Sequence, residues 1–218
     1  MKALILVDLQ NDFADPKGAL YVDKGEQVVS VANRLTSSMK FDIVVATMDW
    51  HPSGHGSFAS TSGELVGTLG ELNGRPQIWW PDHCVWNTPG SELHKNLLTG
   101  RANLIIRKGM DRDVDSYSAF FDNDASPIGL SSYLSERDVD EVYIMGLATD
   151  YCIKFTALDS IKQCFDTYLI EDGCRAVNIN PDDGDKAIRE MKDAGVNIIN
   201  SSIFTKCDKP WNRKNPKR

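Results

Sequence analysis

Cys152 ends the run Gly-Leu-Ala-Thr-Asp-Tyr-Cys, directly after an apolar stretch and at the first turn of a helical pattern. A cysteine at a helix N-terminus meets free backbone N–H groups and the positive end of the helix dipole. Both favour thiolate over thiol, and the same N–H groups can hold an oxyanion. Asp8 closes five apolar residues, Ala3–Val7, where a carboxylate is expensive to bury unless it is paired or used. Beside a thiol it can take the proton and later pass it to a departing amine. Lys108 follows Ile105-Ile106, and near the other two its ammonium would favour both anions and lower the thiol pKa. Thiol, carboxylate and ammonium together suit nucleophilic acyl transfer. Singly, each has an ordinary reading: an inert buried cysteine, a capping aspartate, an exposed strand-end lysine.

A second group has the character of a metal site. Asp49-Trp50-His51 ends another apolar run, and in an extended segment residues i and i+2 point the same way, so carboxylate and imidazole converge. His83, in Trp-Trp-Pro-Asp-His-Cys, supplies the third ligand, with His55 and Asp82 as spares. His94 lies in an amphipathic stretch and reads as a surface residue. One Asp and two His with open positions suit Zn²⁺, Fe²⁺ or Mn²⁺.

These residues need a scaffold, and the hydrophobic pattern supplies one. Ala3–Val7, Ile43–Thr47, Leu104–Ile106, Val142–Met145, Thr167–Ile170 and Val196–Ile199 read as strands buried on both faces. Helical periods lie between them. Val28, Val31, Ala32, Leu35 and Met39 share one face; Ile153, Ala157, Ile161 and Cys164 share another, on a helix starting near Asp150. A third helix spans Asp183 to Ala194, with Gly195 as a left-handed cap. The alternation predicts an α/β fold with a mostly parallel, doubly wound sheet of about six strands and helices on both faces. Ligands of such sheets bind beyond the carboxyl ends of the strands. Asp8, Asp49, His51, Lys108 and the Thr149–Cys152 turn all fall on that rim. The interval from Trp50 to Arg101, with its eight glycines and Trp79-Trp80, breaks the rhythm and reads as a long functional loop.

At 218 residues, with 41% apolar and 25% charged residues, the chain suits one globular domain. Its net charge of -7 and pI near 5.1 argue against nucleic acid or an anionic membrane as partner and favour a small molecule. Residues 208–218 carry five Lys/Arg against one acid and read as a flexible tail after a domain covering 1–207. Five cysteines without a Cys-x-x-Cys pair, no signal-like segment and no membrane-length apolar run point to reduced thiols in the cytoplasm.

The chain resembles the nicotinamidase branch of the isochorismatase-like hydrolase superfamily. The likeness rests on Leu-Val-Asp8-Leu-Gln-Asn-Asp-Phe13, Asp49-Trp-His51-Pro, Trp80-Pro-Asp-His83-Cys, Lys108-Gly, Asp115-Ser-Tyr117-Ser-Ala-Phe and Gly146-Leu-Ala-Thr-Asp-Tyr-Cys152. It covers residues 4 to about 180; after Ile179 only the pattern is similar. The resemblance implies an Asp8–Lys108–Cys152 triad and one divalent metal ion, Zn²⁺ before Fe²⁺ or Mn²⁺, on Asp49, His51 and His83. It also implies a ring slot of Phe13, Trp80 and Tyr117, an oxyanion contact at Ala148, and a cis peptide bond at or beside Leu147–Ala148. Some relatives recruit a further ligand from the segment that here reads Ser53-Gly-His55-Gly-Ser57; water can take that place.

The implied activity is hydrolysis of nicotinamide to nicotinate and ammonia through a cysteine thioester, feeding NAD salvage, with pyrazinamide as a second substrate. The enzyme would be a monomer or homo-oligomer. The alternatives are another amidohydrolase of the superfamily, or a metal-dependent hydrolase in which the cysteine is incidental.

Overall fold

In the computed structural model, which describes residues 1–204, the β-branched runs fold as strands and the helical periods as the segments that return between them. The strands are β1 (Lys2–Val7), β2 (Ile43–Asp49), β3 (Leu69–Leu72), β4 (Arg75–Ile78), β5 (Leu104–Lys108), β6 (Glu141–Leu147), β7 (Asp166–Arg175) and β8 (Asn197–Ile199). The α-helices are α1 (Asn11–Ala14), α2 (Gly25–Ser37), α3 (Ala59–Ser62), α4 (Leu130–Ser135), α5 (Lys154–Lys162) and α6 (Asp183–Asp193). The tail at 208–218 and Cys207 lie outside the described residues.

Six strands make one sheet in the order β5-β2-β1-β6-β7-β8, every pair parallel. In β1, β2 and β6 nearly every residue is buried. Because successive side chains point to opposite faces, both faces of the sheet's centre are covered. Leu4, Ile5, Ile144 and Met145 have no exposed surface, and each such side chain contributes roughly 1.5–3 kcal/mol. Among the described residues no helix is long and apolar enough to cross a membrane.

Several expectations needed correction. The edge strands are half-open rather than buried on both faces: Ile105 is 48% exposed, and Asn197 on β8 is exposed. Helix α2 ends at Ser37, so Met39 leaves the apolar face, turns left-handed at φ 54 and is exposed. Helix α5 ends at Lys162, which puts Cys164 outside it, exposed, while Thr156, Ala157 and Ser160 form its buried face. The third helix ends at Asp193, and Gly195 takes φ 100 as a cap requires. The long interval is more ordered than a loop: β3 and β4 pair as an antiparallel hairpin through Asn73-Gly74, both at positive φ, the dipeptide that two-residue hairpin turns favour.

Candidate functional site

The strand order sets the chemistry side by side. Lys108 ends β5, Asp49 ends β2 and is its register partner, Asp8 follows β1, and the Ala148–Cys152 turn follows β6. Four neighbouring strands thus deliver an ammonium, two carboxylates and a thiol to one end of the sheet, where ligands of parallel sheets bind.

Asp8, Lys108 and Cys152 meet in the interior. The Lys108 Nζ lies 3.0 Å from Asp8 Oδ2, donates to the Ser116 carbonyl at 2.8 Å and stands 3.5 Å from Cys152 Sγ. It also pairs closely with Asp49 Oδ1. Thr47 Oγ1 donates to Asp8 Oδ1 at 2.6 Å. Carboxylate oxygens of Asp8 and Asp49 and the Cys152 sulfur lie within 4.8 Å of one another. Asp8 itself sits at φ 51, a region that aspartate visits more readily than most residues.

Burial governs the protonation states. Loss of solvent pushes the Cys152 thiol well above its usual range; Lys108 opposes this but does not reverse it. The resting group is therefore a thiol, not the thiolate that its neighbours alone would favour. Burial also raises the Asp8 carboxyl, with Lys108 again working the other way. For Lys108, burial disfavours charge, but Asp49 and Asp8 outweigh it and hold the ammonium protonated. The segment carrying Cys152 also differs from a plain helix N-terminus. Thr149–Ile153 form a wide π-type turn ahead of α5, a local widening that recurs at functional sites. The Leu147–Ala148 peptide bond just before it is cis.

Asp49, His51 and His83 form the adjoining cluster, their ligand atoms within 4.8 Å of one another and all buried. His51 Nδ1 lies 2.8 Å from the Gly109 carbonyl and His83 Nδ1 lies 2.8 Å from the Pro81 carbonyl. A carbonyl only accepts, so each Nδ1 carries its proton and, in the neutral ring, each Nε2 presents a lone pair. Those Nε2 atoms lie 3.7 and 3.8 Å from Asp49 Oδ2. His51 Nε2 is buried without a hydrogen-bond partner, a costly state for a polar atom that a cation among the three groups would resolve. The donor set and its orientation fit a divalent metal.

The spare ligands stand outside this group, although His55 closes a second buried cluster with His51 and Asp115. His55 stacks 4.3 Å from His51; its Nδ1 meets Ser57 Oγ at 2.7 Å and its Nε2 meets the Val114 carbonyl at 3.3 Å. Burial pushes its pKa down to about 4, so it is a neutral support for the His51 ring. Asp82 accepts from Ser60 Oγ at the surface. His94, expected at the surface, is buried because its backbone N–H reaches the Leu9 carbonyl and draws the segment inward.

Gly109 makes the His51 arrangement sterically possible. It adopts φ 64, and an added Cβ would lie 2.4 Å from His51 Cε1. Gly109→Ala is expected to cost about 1–2 kcal/mol for the left-handed backbone alone and to displace the ring. Thermal unfolding should show the loss of stability, and metal content of the purified protein should fall; a variant with wild-type values of both would refute the steric reading.

A narrow slot opens onto both clusters, lined by Phe13, Trp80, Tyr117, Ala148 and Cys152 together with Asp49 and His83. Trp80 Nε1 donates to the Tyr117 hydroxyl at 3.0 Å, which fixes two aromatic walls against each other. All of the ring-slot residues expected from sequence therefore border the slot. Leu20, Asp115, Tyr151 and Val177 border it too, and sequence reasoning passed over them. Asp115 was visible only as part of a motif; its Oδ2 accepts from Gln77 Nε2 at 2.7 Å. Gln10 was also missed: it takes the Asp49 N–H at 2.8 Å and donates to the Asp49 carbonyl at 2.7 Å, locking that residue in place. A buried Thr47 two residues before Asp49, on the same side of β2, was the legible sign of a polar strand end.

Residues 2–202 match the isochorismatase domain. The chain is 48% identical over 200 residues to the nicotinamidase of Escherichia coli K12, covering 90% of this chain and 93% of that protein. It superposes on a nicotinamidase/pyrazinamidase of Acinetobacter baumannii with a TM-score of 0.88 at 41% identity, covering 93% and 97% of the two chains. A pyrazinamidase of Pyrococcus horikoshii in complex with zinc superposes with a TM-score of 0.75 at 37% identity over 91% and 98%. With the sheet order, the slot and both clusters in place, the chain belongs to the isochorismatase family and, within it, to the nicotinamidases.

Proposed function

We propose that this protein hydrolyses nicotinamide to nicotinate and ammonia through a thioester on Cys152. The observation that carries this reading is the meeting, in one aromatic slot, of a buried thiol flanked by Asp8 and Lys108 with an Asp–His–His ligand set. The similarity to nicotinamidases supplies the substrate, and the zinc-bound relative supports Zn²⁺ as the ion. Pyrazinamide, whose ring keeps a nitrogen in the same relation to the carboxamide, is a second substrate.

Phe13, Trp80 and Tyr117 grip the ring and set its carboxamide over Cys152. Asp49, His51 and His83 would hold a divalent ion, which would supply a Lewis-acid contact for the ring nitrogen. Asp8 accepts the thiol proton as Sγ bonds to the amide carbon. Burial raises the Asp8 carboxyl, which makes its carboxylate a stronger base toward a thiol that burial keeps protonated. The oxyanion lies against the backbone N–H groups of Ala148 and Cys152. Lys108, charged throughout, stabilises the negative charge that passes between Asp8 and the sulfur. The C–N bond breaks as ammonia leaves with the proton from Asp8. Water then gives a proton to Asp8 and attacks the thioester, and Cys152 departs and regains that proton.

Purified protein given nicotinamide should release ammonia and nicotinate in equal amounts; absence of either product removes the proposal. Stripping divalent metal with a chelator should suppress this activity and added Zn²⁺ should restore it, while Cys152 remains open to alkylation. Full activity in metal-free protein would show that the ligand set serves no role in turnover.

A further inference from the structure

Asp150 belongs to the Thr-Asp-Tyr-Cys turn, yet no step above uses it. Its side chain is buried and both carboxylate oxygens are taken by backbone N–H groups far along the chain. Val177 N–H donates to Oδ1 at 2.9 Å and Asn178 N–H donates to Oδ2 at 2.8 Å. Val177 lines the slot beside Tyr151 and Cys152. The segment from Ala176 to Asp182 contains no buried residue, so the sheet gives it little hold. Its next ties are the Asn178 side chain, which accepts the Gly184 N–H at 2.8 Å, and the Asp183 carboxylate, which accepts the Asn180 N–H at 2.8 Å.

We infer that Asp150 is a positioning residue that holds Val177 as a wall of the substrate slot, and so sets how tightly the aromatic amide is gripped. The inference rests on the amide-hydrolase reading of the slot. A carboxylate is the side chain suited to this task, because it offers two acceptors to two consecutive N–H donors and no donor of its own. An amide of the same size can satisfy only one of the two and turns an N–H₂ toward the other. The wall would then loosen on the ring side, while Asp8 and Lys108 keep their contacts on other strands and Cys152 keeps its contact with Lys108. Ground-state binding should suffer more than chemistry.

The test is a double-mutant cycle of Asp150→Asn and Val177→Ala, reading kcat and KM for nicotinamide. Each single change should raise KM about tenfold while kcat falls no more than about threefold, and the double variant should match the worse single within about twofold, because the two act through one wall. A double variant about a hundredfold worse in KM would show independent roles and overturn the inference. So would Asp150→Asn with unchanged KM, or with a loss confined to kcat, as a purely local effect on the Cys152 turn predicts. If Asp150→Asn does not fold, hydrogen exchange on the unaltered protein decides. Val177 and Asn178 amides should exchange at least about a hundredfold more slowly than that of Ile179, through a bond to buried carboxylate. Equal exchange overturns the inference, and this readout stands even if no ammonia is released from nicotinamide, in which case it is the substrate reading that fails.

Discussion

Cys152→Ala is expected to lower turnover by about four orders of magnitude or more, the scale on which enzymes lose a covalent nucleophile. The reason lies in what remains. Asp8 and Lys108 keep their contact at 3.0 Å, and the slot keeps its aromatic walls, but no atom is left to form the acyl intermediate. Water activated by Asp8 would have to attack an unactivated amide directly. The fold should survive: removing one buried sulfur costs about 1 kcal/mol, and alanine suits a helix start. Titration calorimetry with nicotinamide should therefore still show binding, while single-turnover mixing shows no acyl-enzyme. A variant retaining more than about a hundredth of the wild-type rate would end the covalent mechanism and revive the alternative of a metal-dependent hydrolase with an incidental cysteine.

Benzamide should be a far poorer substrate than nicotinamide, by roughly three orders of magnitude in kcat/KM, because a site built for a polar contact rejects an analogue that lacks it. The two rings have nearly the same shape and the same scissile amide, and Phe13, Trp80 and Tyr117 stack on both alike. The Asp49–His51–His83 end of the slot is where a ring nitrogen would be told from a C–H. His51→Ala removes one ligand, so it should lower activity and also narrow the gap between the two amides to about tenfold, as an apolar slot alone would allow. Measuring kcat/KM for both amides in both proteins checks this. Equal values in the wild type would show that this end does not read the ring nitrogen, leaving the reading of Asp8, Lys108 and Cys152 untouched.

The parallel sheet and its rim were legible because they depend on local signals: runs of Val and Ile mark buried strands, and polar residues just beyond them fall at the carboxyl ends whatever the strand order. The Asn73-Gly74 hairpin was equally local and was passed over within a long glycine-rich stretch. Met39 and Cys164 failed for the opposite reason. A helical period does not say where a helix stops, and both helices end before the apolar pattern does.

The sequence by itself determined the kinds of groups available: a thiol after β6, carboxylates after β1 and at the end of β2, a lysine at the end of β5, and histidines with ligand character. Only the tertiary structure decided their states and their partners. The order β5-β2-β1-β6 makes neighbours of residues up to 144 positions apart in the chain, and removing water around them reverses the expected ionisation of Cys152. It likewise decided that His55 is a neutral support and His94 a buried anchor, and that Gln10, Asp115, Asp150 and Val177 belong to the site. Each of these depends on which backbone groups and side chains meet across the fold, where burial raises the cost of an unpaired polar atom, and no spacing along the chain encodes that meeting.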